Sequence, residues 1–230
     1  MNHSVNIIAL TAEIIAWIVI AKLVFNSYKK LKNKLKIWKV IFVTLIGLLS
    51  FTIHLELFDT VLKIPILPLG VWILYGFLKR KKERWVTYRS FAWIGFFANF
   101  IFIVSTFIAV LIHPILYPTN QISTYISNAD KATIIKSHPS AENISLNKDR
   151  LKQISNLKQS TINSEQWYED TILNKKRERF PYLLVGTSPK WGSGLNTSIH
   201  IEADGKGILL MTEKGQLYFR SEHSILEEGK

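Results

Sequence analysis

His200 and Glu202 stand two residues apart in the alternating segment 196–203. Successive side chains of a strand point to opposite faces, so this pair shares one. With a neighbouring Asp or His it would make a metal site or an acid–base couple. The same alternation also makes that face the solvated side of the strand, because Ile199 and Ile201 take the other side. His138 and His223 have no ligand spacing around them.

The loop 187–196, TSPKWGSGLN, sets Lys190, Trp191 and Ser193 among glycines between two expected strands. A large ring beside a cation on permissive backbone suits contact with a ligand or partner. A core position for Trp191 is the competing reading. The phosphate-loop order GxxxxGK[ST] is absent, and Gly192-Ser193-Gly194 lacks the spacing of a nucleophile elbow.

A third set lies in apolar surroundings. Glu13 interrupts the run 5–25, and His54 and Glu56 stand near the far end of the run 40–57, followed by Asp59. Ionisable groups within a bilayer are costly and mark proton or ion paths, so Glu13, His54 and Glu56 could form one if they share a level. Helix ends near an interface bring polar residues to one level without any path, and Glu13 would be such a residue if its span starts near Ile14. No cofactor or metal is expected. The chain contains no cysteine, which excludes disulfides, thiolate nucleophiles and sulfur-ligated zinc.

Four apolar runs must position these residues: 5–25, 40–57, 61–78 and 90–114. The last carries no formal charge and, at about 1.5 Å per residue, is long enough to cross a hydrocarbon core of about 30 Å. The first has no Lys or Arg ahead of it and no small-residue cleavage pattern after it, so it reads as an uncleaved span. The second and third are joined by HLELFDTVLKIP and are expected as a tight helical hairpin, with Pro65 and Pro68 in the first turn of the third helix.

Two basic clusters separate the runs. Lys29, Lys30, Lys32, Lys34, Lys36 and Lys39 form one; Lys79, Arg80, Lys81, Lys82 and Arg84 form the other. Both are expected at lipid headgroups in cytoplasmic loops. Parity then places both ends of the chain outside, and a single broken re-entrant element in place of runs two and three gives the same sidedness. Residues 1–113 hold 14 Lys+Arg against 4 Asp+Glu, and the remainder 15 against 13. The net charge of +12 is therefore an orientation signal rather than a nucleic-acid footprint.

Residues 117–145 are rich in Ser, Thr and Asn and read as a tether with one short helix near 122–135. Beyond it a narrow apolar stripe at Leu151, Ile154 and Leu157 suggests a helix, and a second is expected from Ser164 through Trp167 and Leu173 to Arg179. Strands are expected at 182–186, 196–203, 207–212 and 216–221, with turns at Asp204-Gly205 and Lys214-Gly215.

The expected architecture is thus four transmembrane helices in 1–116, a tether over 117–145, and an extracytoplasmic α+β domain over 146–230. That domain holds two helices and a three- or four-stranded antiparallel meander. The Lys-, Ile- and Asn-rich composition points to a bacterial cell membrane. The expected function is non-catalytic binding of an envelope ligand or partner by the outer domain, as sensor, regulator or accessory subunit. Membrane lipids and another envelope or membrane protein are the expected partners, with no nucleic acid. A small ion-coupled transporter or membrane-embedded enzyme using Glu13, His54 and Glu56 is the alternative, and a membrane toxin or immunity protein the second.

Overall fold

The computed structural model describes residues 5–31, 35–57, 60–80, 82–153, 157–162, 178–213 and 215–228. The chain divides into two compact units: Ile8–Ile112, and Met1–Ile7 together with His113–Lys230.

The first unit corrects the expectation of four spans. Its elements are α1 (Ile7–Lys29), α2 (Ile37–Gly47), β1 (Phe51–Leu57), β2 (Thr60–Leu67), α3 (Leu69–Leu78) and α4 (Lys82–Leu116), the outer two reaching the boundary of the unit. Among the described residues, only α1 and the stretch Glu83–Leu116 of α4 are long and apolar enough to cross a membrane. The helices α2 and α3 have 11 and 10 residues, and at 1.5 Å per residue each covers about half of a hydrocarbon core.

The expected helical hairpin is instead the antiparallel pair β1–β2, with Ile53 opposite Ile64, His54 opposite Lys63, Leu55 opposite Leu62 and Glu56 opposite Val61. The reason lies in residue type. Thr52, Ile53, Val61, Ile64 and Ile66 are β-branched and favour extended backbone. Pro65, which has no N–H to give a ladder, sits on a strand with an open edge. Averaged hydropathy hid this alternation.

Val40 and Val43 of α2 and Val71 and Leu74 of α3 pack with Phe91, Ala92 and Phe96 of α4. The backbones touch: a Cβ on Gly95 would lie 2.1 Å from the Thr44 carbonyl oxygen, the close approach that small residues allow. Asn99 Nδ2 donates to the Leu48 carbonyl at 3.1 Å, satisfying an acceptor at the end of α2.

The second unit is built on a six-stranded antiparallel sheet. Its strands are β3 (Thr133–Lys136), β5 (Lys158–Ser160), β6 (Tyr182–Val185), β7 (Thr197–Ile201), β8 (Gly207–Thr212) and β9 (Gly215–Arg220), in the order β3-β6-β7-β8-β9-β5. The four central strands are the expected meander, and β3 and β5 extend it at its edges. A smaller sheet pairs β4 (Ile144–Leu146) with β10 (Leu226–Glu228).

Residues 117–145 fall within this unit and supply part of its core. In place of a helix near 122–135 there is a single 3-10 turn, Ile122–Thr124, before β3. Ile122, Tyr125 and Ala132 are buried with Leu184, Ile201 and Phe219. The opposite face of the sheet buries Leu209 and Tyr218 against Phe180. The stripe Leu151–Ile154–Leu157 gives only α5 (Lys148–Lys152), capped by the Asn147 side chain accepting from the Arg150 N–H at 2.9 Å. Ile154 and the helix expected from Ser164 through Trp167 and Leu173 lie outside the described residues.

Candidate functional site

The loop 187–196 is braced from Ser188 to Ser193. At its start the Ser127 N–H and hydroxyl both donate to the Ser188 carbonyl, at 2.9 and 3.0 Å, and the Lys190 N–H donates to the Thr124 carbonyl at 2.9 Å. Further on, the Ile7 N–H donates to the Gly192 carbonyl at 3.0 Å, within an antiparallel bridge that pairs Asn6 with Ser193. The Tyr117 hydroxyl donates to the Trp191 carbonyl at 3.0 Å, and His113 Nε2 donates to the Ser193 carbonyl at 2.8 Å. The loop therefore holds both the residues that lead into α1 and those that end α4.

Two glycines make this possible. Gly192 and Gly194 have φ of +79° and +69°, left-handed backbone that side-chain-bearing residues adopt at a cost. Space is the second constraint: a Cβ on Gly192 would lie 2.6 Å from Ile7 Cδ1, and one on Gly194 2.7 Å from Asn6 Cβ. Ser193 between them is 1% exposed. Its bond from His113 ends on the main-chain carbonyl rather than on the hydroxyl, so the two do not form a nucleophile–base pair.

Trp191 is not in the core. The residue is 86% exposed although its backbone is fixed on both sides. Lys190, the residue before it, lines a groove of about 380 Å³ together with Ile122, Ser127, Asp130, Leu151 and Lys152. In that groove Lys152 Nζ and Asp130 Oδ1 pair at 2.8 Å. The ammonium holds the Asp130 carboxyl below the usual carboxylate range.

Glu202 has a different role from the one its spacing to His200 suggested. It follows β7 and is buried, with Oε1 accepting from Arg179 Nε at 2.8 Å and Oε2 accepting from the Tyr218 hydroxyl and Arg220 Nη1, both at 2.6 Å. Arg220 Nη2 also donates to Asp204 Oδ2 at 2.7 Å. Burial and the Glu202 carboxylate together push the Tyr218 hydroxyl above its ordinary range. Both carboxylate oxygens are thus engaged by groups of the chain itself, and no cluster of three His, Asp or Glu side chains with metal-holding geometry occurs among the described residues. His200 lies half-buried in the sheet, flanked by Leu183 and Leu209. Burial holds its imidazole below the usual histidine range, with Glu178 opposing.

Glu13 is exposed on α1, and His54 and Glu56 are exposed on β1. No hydrogen bond or ion pair between described residues joins these three. In the basic clusters, Lys29, Lys39 and Lys79 place their ammonium groups 4.5, 5.6 and 5.7 Å from the ring centroids of Phe25, Trp38 and Tyr75, within cation–π reach. Lys30, Lys36, Arg80 and Arg84 are exposed. Lys32, Lys34, Lys81 and the Lys82 side chain lie outside the described residues.

His113, Tyr117 and Asn6 were missed as partners of this loop. The only local signal was the Gly192-x-Gly194 spacing, which says that backbone approaches closely but not whose. No protein-family model, curated protein or solved structure matches this chain.

Proposed function

We propose that the chain is a membrane-anchored binding protein in which α1 and α4 cross the bilayer and the sheet unit is held on the outer side. In this reading it acts without catalysis, as a sensor, regulator or accessory subunit at a cell membrane. One observation carries the reading: a single loop bonds both the residues that lead into α1 and those that end α4. The two helices then leave the membrane on the same face. The basic clusters on Lys29–Lys39 and Lys79–Arg84 support a cytoplasmic position for the opposite ends of those helices.

Apolar side chains exposed on α1 and α4, such as Ile14, Ile18, Val104 and Ile108, suit lipid contact. Open strand edges are not tolerated in hydrocarbon, so the β1–β2 hairpin takes no part in crossing. The groove beside Lys190 supplies the sensing element, because a ligand seated against Asp130, Lys152 and Lys190 bears directly on the loop that bonds Ile7 and His113. Its charged pair and polar rim suit a polar or zwitterionic ligand from the envelope.

The test is labelling of single-cysteine variants in intact cells with a membrane-impermeant thiol reagent. The native chain has no cysteine and contributes no background. Ser127→Cys and Lys206→Cys should label, and Asn33→Cys should label only after lysis. Labelling of Asn33→Cys alone contradicts the proposal.

A further inference from the structure

We propose that Trp191 is a membrane contact of the sheet unit, its indole seated at the headgroup–acyl boundary of the same bilayer that α1 and α4 cross. The inference rests on those crossings but not on which side the sheet unit occupies.

Level is the first argument. Trp191 and Ser193 accept hydrogen bonds of 3.0 and 2.8 Å from Tyr117 and His113, and Gly192 accepts one of 3.0 Å from Ile7. These donors stand where the apolar runs of α4 and α1 end. Ile7 and His113 are joined through the chain directly to the two spans, so a loop bonded to them is held within a residue or two of where the spans' apolar runs end. Trp and Tyr are the side chains that favour that height, since one end of each is apolar and the other polar.

Exposure is the second. Every neighbour of Trp191 from Lys190 to Gly194 is tied down or half-buried to buried, yet Trp191 itself is 86% exposed. A ring packed for folding would be covered. A loop fixed at four points with a free indole instead presents that indole outward at no further ordering cost to its backbone.

Place in the sheet is the third. Thr197 opens β7 just after the loop and pairs with Thr212, so the β8–β9 turn lies at the same end of the strands. Met211, next to Thr212, is a large apolar side chain left 41% exposed there. The opposite end of β7 carries Asp204, Lys206 and Arg220, with no exposed large apolar side chain among them.

The experiment uses the full chain in vesicles of phosphatidylcholine and phosphatidylglycerol. Trp191→Cys, Val104→Cys and Lys206→Cys are each labelled with an environment-sensitive fluorophore, then challenged with iodide in water and with lipids carrying a spin label near the headgroup or deep in the acyl chain. Position 104, within α4, is the depth reference and position 206 the water reference. The proposal expects blue-shifted emission at 191, strong quenching by the shallow lipid label, and loss of iodide quenching relative to 206. Iodide quenching at 191 equal to that at 206, with 104 quenched by the deep label, overturns it while leaving the crossings intact. Protection of 191 from both quenchers shows that protein rather than lipid covers the ring, and also overturns it. Failure of the deep label to quench 104 removes the crossing itself, and the proposal with it.

Discussion

The imidazole of His113 donates through Nε2 to the carbonyl of Ser193 across 2.8 Å, joining residues 80 apart in the chain. Within the same loop, Asn6 forms an antiparallel bridge with Ser193 from the other direction. One short loop of a β-sheet is thus the point at which two distant parts of the chain are fastened. Whatever displaces that loop acts on the residues that lead into one long helix and end the other.

Gly194→Ala should loosen this fastening. Its backbone lies at φ +69°, and its new Cβ would meet Asn6 Cβ at 2.7 Å. Strain of this kind costs on the order of 1–3 kcal/mol. Thermal unfolding in detergent should show a lower midpoint, and protease should cut the segment before Ile7 sooner. Gly76→Ala is the control, because nothing lies within 4 Å of its Cβ and a helix interior gains from alanine.

Glu202→Gln should destabilise the sheet unit without touching the loop. The Arg179 and Glu202 side chains are 17% and 11% exposed, so removing the carboxylate strands a largely buried cation. Breaking a buried pair costs about 3–5 kcal/mol, and the lower end applies because Arg220, the second partner, is 43% exposed and can hydrate. Chemical denaturation should record the loss, and the double variant Glu202→Gln with Arg179→Met should recover part of it.

Acid should weaken the same unit through His200. Burial between Leu183 and Leu209 favours its neutral ring in the fold, against a smaller opposing effect of Glu178. The unfolded chain then takes up the proton more readily than the folded one, so stability is full above the ordinary histidine value of about 6.5 and is lost as pH falls from there through the lower folded value. Unfolding midpoints measured from pH 8 to pH 5 should fall, and His200→Gln should flatten that part of the curve.

The central meander was legible because its turns announce themselves: Asp204-Gly205 and Lys214-Gly215 interrupt segments of clear alternation. The β1–β2 hairpin was not, since Phe51, Ile53 and Leu55 read as part of a span when hydropathy is averaged, and the alternation with Thr52, His54 and Glu56 passed as scattered polarity. Glu202 was noticed for its nearness to His200. Its actual partners, Arg179 and Arg220, are 23 and 18 residues away, and no local pattern connects them. The loop 187–196 stands out in the sequence as a candidate ligand or partner contact, but the residues that close on its glycines, Asn6, Ile7 and Tyr117, come from distant parts of the chain, and only the fold brings them there.

The most direct measurement is a cross-link between the two ends of the fastening. The bridge between Asn6 and Ser193 has the Ile7 N–H bonded to the Gly192 carbonyl. That is the close, non-hydrogen-bonded kind of pair, with Cα atoms about 4.5 Å apart, inside the range a disulfide needs. The full chain carrying Asn6→Cys and Ser193→Cys, in membranes under mild oxidation, should form an intramolecular disulfide in high yield, read as a mobility shift that reductant reverses. The pair Asn6→Cys and Lys206→Cys should not. A missing cross-link at 6–193, or equal yields for the two pairs, would contradict the account.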